Sequence, residues 1–239
     1  MSYLNKLRLK TSNNYLILLA IFISFLLLSV RPVHGQIDPN LWVFVQNDRA
    51  DRVQQLLDKG LDPNTRTNIG NPIIMQAVRD GAWTVFDLVL KHPETDINIL
   101  NAYQETPLMY VSLMGDLSRT KALVARGATI NQLGWTPLHY AAAKGQVPVI
   151  EFLLAQGALP NAPAPNGESP IMMAAGAGAI DAVQTLLKAG ADPTAIDMNG
   201  KDAISSARDK GHTQLAEALE KIVRERAQRE QRSSQPNAN

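Results

Sequence analysis

The sequence contains no cysteine. That absence excludes disulfides, thiolate nucleophiles and cysteine-ligated zinc, so stability must come from packing alone. Such a chain also tolerates an oxidising compartment. Histidine is scarce, at four in 239 residues, and aromatic residues make up only 5%. A strong charge of one sign is missing as well. The formal net charge is +1, but it is unevenly spread. Lys6, Arg8, Lys10 and Arg31 stand in the first 35 residues with no acid among them, which leaves 19 basic against 22 acidic residues in the remainder. Between 36 and 223 the balance is 15 basic against 20 acidic. A nucleic-acid binder needs a cationic footprint to neutralise phosphates, and this body has none.

Long apolar runs occur in one place only. Tyr15 to Val30 (YLILLAIFISFLLLSV) follows the basic Lys6, Arg8 and Lys10. Arg31, Pro32 and Val33-His34-Gly35-Gln36 come next. Val33 and Gly35 occupy the −3 and −1 places of a cleavage site before Gln36, which completes the three-part pattern of a secretory signal peptide over 1–35. An uncleaved anchor is the alternative. Sixteen residues of helix reach about 24 Å, short of the ~30 Å hydrocarbon core. Export by a Sec-type route is therefore expected, to the periplasm or the medium.

The remaining sequence repeats itself. Gly134-Trp135-Thr136-Pro137-Leu138-His139-Tyr140-Ala141-Ala142 is followed 33 residues later by Gly167-Glu168-Ser169-Pro170-Ile171-Met172-Met173-Ala174-Ala175, and then by Gly200-Lys201-Asp202-Ala203. Upstream, Thr106-Pro107-Leu108 lies 30 residues before Pro137, and Asn71-Pro72-Ile73-Ile74-Met75 lies 35 before Pro107. A second element recurs in constant phase: Val53 and Leu56-Leu57 before Gly60, Val149 and Leu153-Leu154 before Gly157, Val183 and Leu186-Leu187 before Gly190. Leu123-Val124 precede Gly127 in the same way. Counting back from Gly60 makes Leu41-Trp42-Val43-Phe44 the opening of a first unit.

This pattern resembles the ankyrin repeat over residues 38 to about 222. The resemblance implies an all-α solenoid of about six helix-turn-helix units with short hairpin fingers, at about 38–67, 68–101, 102–131, 132–163, 164–196 and 197–223. The physics agrees. Thr136 and Ser169 suit the N-cap, and the proline after each suits the first helical position, where no N–H is needed. Small alanines let neighbouring helices approach, and Leu153, Leu154, Leu186 and Leu187 are expected to fill the core between units. The glycines after the second helices suit a left-handed cap. One helix pair cannot bury its apolar face alone, so stacking makes the core.

Three departures stand out. The finger between Gly127 and Gly134 is three residues short. The segment from His92 to Thr106 is two residues long, and His92 replaces the helix-ending glycine, with Pro93 as an alternative stop. The tail at 224–239 is charged, has no apolar content towards its end, and is expected to be disordered.

The residues offer no catalytic set. His34 belongs to the export segment, His139 is the histidine of the repeat motif and structural by the resemblance, His212 follows Gly211, and His92 sits at a helix end. No nucleophile, base and orienting group come together, so neither an enzyme nor a cofactor is expected. Met75, Met109, Met172 and Met173 fall on successive first helices around His139. A soft Cu(I) ladder, and with it a metal carrier, is conceivable, but gap-filling between stacked helices is the ordinary use of such methionines. The stronger signal is a row of large residues. Tyr103, Glu105, Trp135, Glu168 and Lys201 stand at the finger tips, while Met75, Tyr110, Tyr140 and Met173 follow the histidine position on the inner face. The short finger is expected to leave a notch beside the long one. The expected function is a non-catalytic, monomeric module that binds another protein on its inner surface, as exported bacterial ankyrin proteins with protective or immunity roles do. A secreted effector that binds host proteins is the alternative. Contact with a membrane is expected only through an uncleaved first segment.

Overall fold

A computed structural model describes residues 37–234, and the expected export segment at 1–35 lies outside them. Among the described residues the chain forms twelve helices and no strand. They pair in order as α1 (Leu41–Gln46) with α2 (Ala50–Asp58), α3 (Ile73–Asp80) with α4 (Trp83–Lys91), and α5 (Pro107–Met114) with α6 (Leu117–Ala125). The second half continues with α7 (Pro137–Ala143) and α8 (Val147–Ala155), α9 (Pro170–Gly176) and α10 (Ile180–Lys188), then α11 (Ala203–Asp209) and α12 (Thr213–Ser234). First helices pack on first helices of neighbouring units more extensively than second helices pack on each other. Ala141, Ala142, Ala174 and Ala175, all buried, permit that close approach.

The core runs the length of the stack. Leu153 and Leu186 are wholly buried, whereas Leu154 and Leu187 are half-buried and pack against the core from its edge. Ile130 packs against both the N-terminal and the C-terminal parts of this core.

Four of the first helices, α5, α7, α9 and α11, start on a local hydrogen-bond device. Thr106 Oγ1 accepts from the Met109 N–H at 3.3 Å, and Asp202 Oδ1 accepts from the Ser205 N–H at 2.7 Å. In return the Thr106 N–H donates to the Met109 sulfur at 3.3 Å, the Thr136 N–H to His139 Nδ1 at 3.2 Å, and the Ser169 N–H to the Met172 sulfur at 3.4 Å. The third residue of these helices thus closes the first turn, which satisfies a backbone donor that would otherwise be orphaned. These thioethers serve as hydrogen-bond acceptors, each at its own helix start.

The second unit is shifted by one residue from the expected register. Pro72 is the N-cap of α3, in the place of Thr106, and Ile73 is the first helical residue. Met75 therefore takes the buried histidine position, fully enclosed, and Gln76 takes the inner-face position expected for Met75. A proline N-cap has no N–H, so Met75 has no donor to accept from and serves as core.

The fingers are tight turns, each closed by few backbone bonds. The Asn101 N–H donates to the Glu105 carbonyl at 3.0 Å, Ala164 to Glu168 at 2.8 Å, and Asp197 to Lys201 at 2.8 Å. Gln104 stands with φ +62° where the neighbouring fingers have glycine. The units are then stitched by asparagines that sequence periodicity alone does not single out. Asn64, Asn98, Asn131 and Asn161 each donate to a carbonyl of the next unit, that of Glu94, Gly127, Gly157 and Gly190 respectively, at 2.8–3.2 Å. Each also accepts a backbone N–H two residues further on, from Asp96, Thr129, Leu159 and Asp192.

Two ends depart from the repeat pattern. α4 stops at Lys91, and His92 is extended, as the residue before Pro93 must be. The guanidinium of Arg126, from the next unit, donates to the carbonyls of Leu90 and His92 and supplies the missing cap. At the C-terminus the expected disorder from 224 is corrected, since α12 continues through Ser234. Low apolar content excludes burial there but not helix. Glu, Arg, Gln and Ala are good helix formers, and Arg224–Glu220 and Arg229–Glu225 pair one turn apart at 3.9 and 3.7 Å.

Candidate protein-binding face

Stacking in register turns helical positions into columns. The residue after the buried histidine position gives Val43, Gln76, Tyr110, Tyr140, Met173 and Ser206, none of them buried. Three positions on, at the flank of the same helices, stand Arg79, Leu113, Ala143, Gly176 and Asp209. Side-chain volume along this flank falls from leucine through alanine to glycine, and the surface opens accordingly. A carbon-lined hollow of about 220 Å³ is bounded by Leu113, Trp135, His139, Tyr140, Ala143 and Met173. It adjoins, through Ala143 and Met173, a groove of about 500 Å³ whose polar wall includes Glu168, Asp197, Asn199, Lys201, Asp209 and Lys210. The hollow opens towards the fifth unit. None of its lining residues comes from the 92–106 finger, so this hollow is not the notch expected beside that finger.

The walls of the hollow are held firmly. His139 is buried and accepts from the Thr136 N–H through Nδ1, which leaves Nε2 to donate to the Glu168 carbonyl at 3.1 Å across the repeat boundary. Burial pushes the imidazole below its ordinary range, and the bonds to Glu168 and Ala162 oppose that only in part. His139 is therefore a neutral, structural residue. Trp135 stands edge-on to its ring, with centroids 5.3 Å apart.

Glu105 ties two tyrosines together. The Tyr140 hydroxyl donates to Oε1 at 2.5 Å, the Tyr110 hydroxyl donates to Oε2 at 3.0 Å, and Asn101 Nδ2 donates to Oε2 at 2.7 Å. Burial, then the Glu105 carboxylate, pushes the Tyr140 phenol well above its ordinary value, and the same causes raise that of Tyr110. Both phenols stay protonated and act as donors. Their hydroxyls are committed within the protein, and the ring faces remain for contact.

The sequence-derived residues fall into three groups. Trp135, Tyr140 and Met173 line the hollow, and Glu168, Met173 and Lys201 line the groove. Glu105 and Tyr110 lie beside them in the hydrogen-bond cluster. Tyr103 stands apart on a finger tip, 75% exposed. The Lys201 ammonium pairs with Asp209, which engages its charge within the groove. Leu113, Ala143, Gly176 and Asp209 escaped sequence reasoning. Their shared helical position was legible, but small residues signal a hollow only once the register of the stack is known.

Family profiles match most of this region. The profile for Ankyrin repeats (3 copies) matches residues 41–133 and 74–164, and the profile for a single Ankyrin repeat matches 166–198. Similar proteins include neurogenic locus notch homolog protein 2 of Homo sapiens, 31% identical over 113 residues, which is 46% of this chain and 5% of that protein. Neurogenic locus notch homolog protein 1 of Mus musculus is 29% identical over 133 residues, 53% of this chain and 5% of the other. The ankyrin repeat and SAM domain-containing protein 6 of Rattus norvegicus is 32% identical over 124 residues, 50% of this chain and 14% of the other. This chain thus spans a small part of each of these relatives.

Proposed function

The chain belongs to the ankyrin-repeat family, whose repeats typically serve as non-enzymatic modules that bind other proteins, and on that premise we propose that this is an exported, non-catalytic binder of another protein. The observation that carries the reading is the uncovered apolar hollow on the inner helices, with aromatic walls held in place by His139 and Glu105. Rigid aromatics give contact area at low entropic cost and are enriched at binding hot spots. The hydroxyls of Tyr110 and Tyr140 are each donated to the Glu105 carboxylate. Neither nucleic acid nor a cofactor enters this reading, and the binder acts as a monomer.

The binding test is the double substitution Trp135→Ala with Tyr140→Ala, made on protein whose helicity is checked first. The expected outcome is loss of affinity for the partner by tenfold or more, since truncation of a true hot spot costs about 2 kcal/mol or more. Full affinity in the folded double variant would place the binding site elsewhere.

Export is part of the same reading. It rests on the basic, apolar and small-residue succession of residues 1–35. It directs the binder to a periplasm or to the medium, where a protective, immunity-type role suits a chain without cysteine. Intact-mass measurement on protein from its native cell is expected to give an N-terminus near Gln36. A full-length product retained in the membrane would replace cleavage by anchoring.

A further inference from the structure

Three charged or aromatic finger residues stand in line beside the hollow: Glu105, Trp135 and Glu168, one from each of three successive units. The two carboxylates share a property that the other acids of this face lack. Asp209 is neutralised by Lys201. Asp197 accepts the Asn199 and Lys201 N–H groups at 2.8 Å each and lies in the field of the Lys201 ammonium. Glu105 is hydrogen-bonded, but only by the neutral donors Tyr110, Tyr140 and Asn101, which solvate its charge without cancelling it. Among the described residues Glu168 has neither an ion pair nor a side-chain hydrogen bond. Lys210, at the C-cap of the last first helix, is the groove's remaining cation. The apolar hollow is therefore flanked on both sides by carboxylates that no ion pair neutralises, with Lys210 in the groove beside Glu168 and the charge of Arg79 acting on Tyr110 beside Glu105.

We propose that this face selects an extended segment of a partner protein in which one bulky apolar side chain is flanked, a few residues to either side, by lysine or arginine. This inference rests on the protein-binding reading above and specifies its ligand. The apolar side chain enters the hollow between Leu113, Tyr140, Ala143 and Met173. The flanking cations lie against Glu105 and Glu168. An acidic flank is rejected, because it would place like charges together as the contact loses water. The segment is extended because its three contacts come from three successive units along the stack. An apolar segment without basic flanks fills the hollow but gains nothing from the carboxylates.

The test uses fluorescein-labelled unstructured peptides of equal length, with leucine or alanine at the centre and lysine or glutamate on both flanks. Binding to the full chain is read by fluorescence anisotropy. The lysine-flanked leucine peptide is expected to bind most tightly, and its alanine counterpart about tenfold more weakly, the cost of removing a leucine's apolar contact. Glutamate flanks are expected to abolish binding. Two variants then assign the contacts. Ala143→Leu places at this half-exposed position the residue that the third unit carries as Leu113, so the fold is kept and the hollow is filled; the preference for leucine over alanine should vanish. Glu168→Lys should weaken the lysine-flanked peptide and improve the glutamate-flanked one. Equal affinity for all peptides, no binding to any, or indifference of the flank preference to Glu168→Lys would overturn the proposal. The broader reading fails separately, since it is decided by whether the Trp135 and Tyr140 double variant still holds its natural partner.

Discussion

His139 does with a nitrogen what Met109 and Met172 do with a sulfur. All three accept the N–H of their N-cap residue, and all three are buried. Only the histidine can also be protonated, and only the histidine reaches across to the next unit, at the Glu168 carbonyl. Its burial lowers the folded-state pKa below the ordinary 6.5. The unfolded chain then binds a proton more readily than the folded one. The stability that His139 contributes is therefore complete above about pH 6.5 and declines as pH falls below it towards the depressed value. His139→Met copies the neighbouring units. At pH 7.5 it is expected to cost about 1 kcal/mol for the lost cross-repeat bond, and urea unfolding from pH 7.5 down to 5 should show a flatter decline than in the parent protein. An identical decline in both would remove His139 as the cause. The Glu105 cluster shows a second residue-scale choice. Two tyrosines from two units lean on one carboxylate, so part of what a sequence reader takes for exposed interface is internal bracing.

At the scale of the helix, the units differ most in how their ends are finished. Gly115, with φ +75°, joins α5 to α6, and the amide of Gln146 from the next unit lies directly over it, within 2.2 Å of where a Cβ would stand. That amide also donates to the Leu113 carbonyl at 3.2 Å. Where the first unit has Asp48 in this left-handed place, the residue offsets its strain. Its carboxylate accepts from Thr84 and Val85 and so caps α4. Burial opposes the charge, but those bonds hold the carboxyl below its usual range. The end of α4 is finished by Arg126, because His92 before Pro93 cannot adopt the left-handed cap. Arg126→Ala is expected to destabilise by about 1–2 kcal/mol, the worth of a charge-assisted bond to backbone carbonyls. The loss should appear in chemical denaturation and as faster amide exchange over the last turn of α4. A change under half a kcal/mol would leave that helix end capped by water.

For the whole molecule, the asparagine stitches matter more than any single cap. Asn64, Asn98, Asn131 and Asn161 each span a repeat boundary with a donated and an accepted bond, so consecutive units are fixed in both rotation and rise. The stitch ends at the sixth unit. Thr194 stands where the next asparagine would come, and its hydroxyl turns back to Asp192 at 2.7 Å. α12 then closes the stack with Leu215, Ala216 and Leu219 buried and a charged outer surface, as a terminal repeat requires. The fixed geometry is what permits a binding face at all. Three units can present Glu105, Trp135 and Glu168 in one line only if none of them turns relative to its neighbours.

Much of this was legible in the sequence because the repeat is a local code. A proline at a helix start, a glycine at a helix end and a leucine pair in between act within one unit, and their recurrence fixes helix order, unit count and the buried faces of Leu153 and Leu186. The code gave way where its punctuation was degenerate. In Gly70-Asn71-Pro72 the proline could be the N-cap or the first helical residue, and Met75 moves from surface to core with that choice. What only the tertiary structure decided was everything that depends on two units at once. The commitment of the Tyr140 hydroxyl to Glu105, the Arg126 cap on another unit's helix, and the hollow beside Ala143 all arise from distances between residues some thirty positions apart. Sequence periodicity sets which residues share a column. The rise and twist between units, set by how small side chains let first helices approach, decide which of those residues meet and which leave a space.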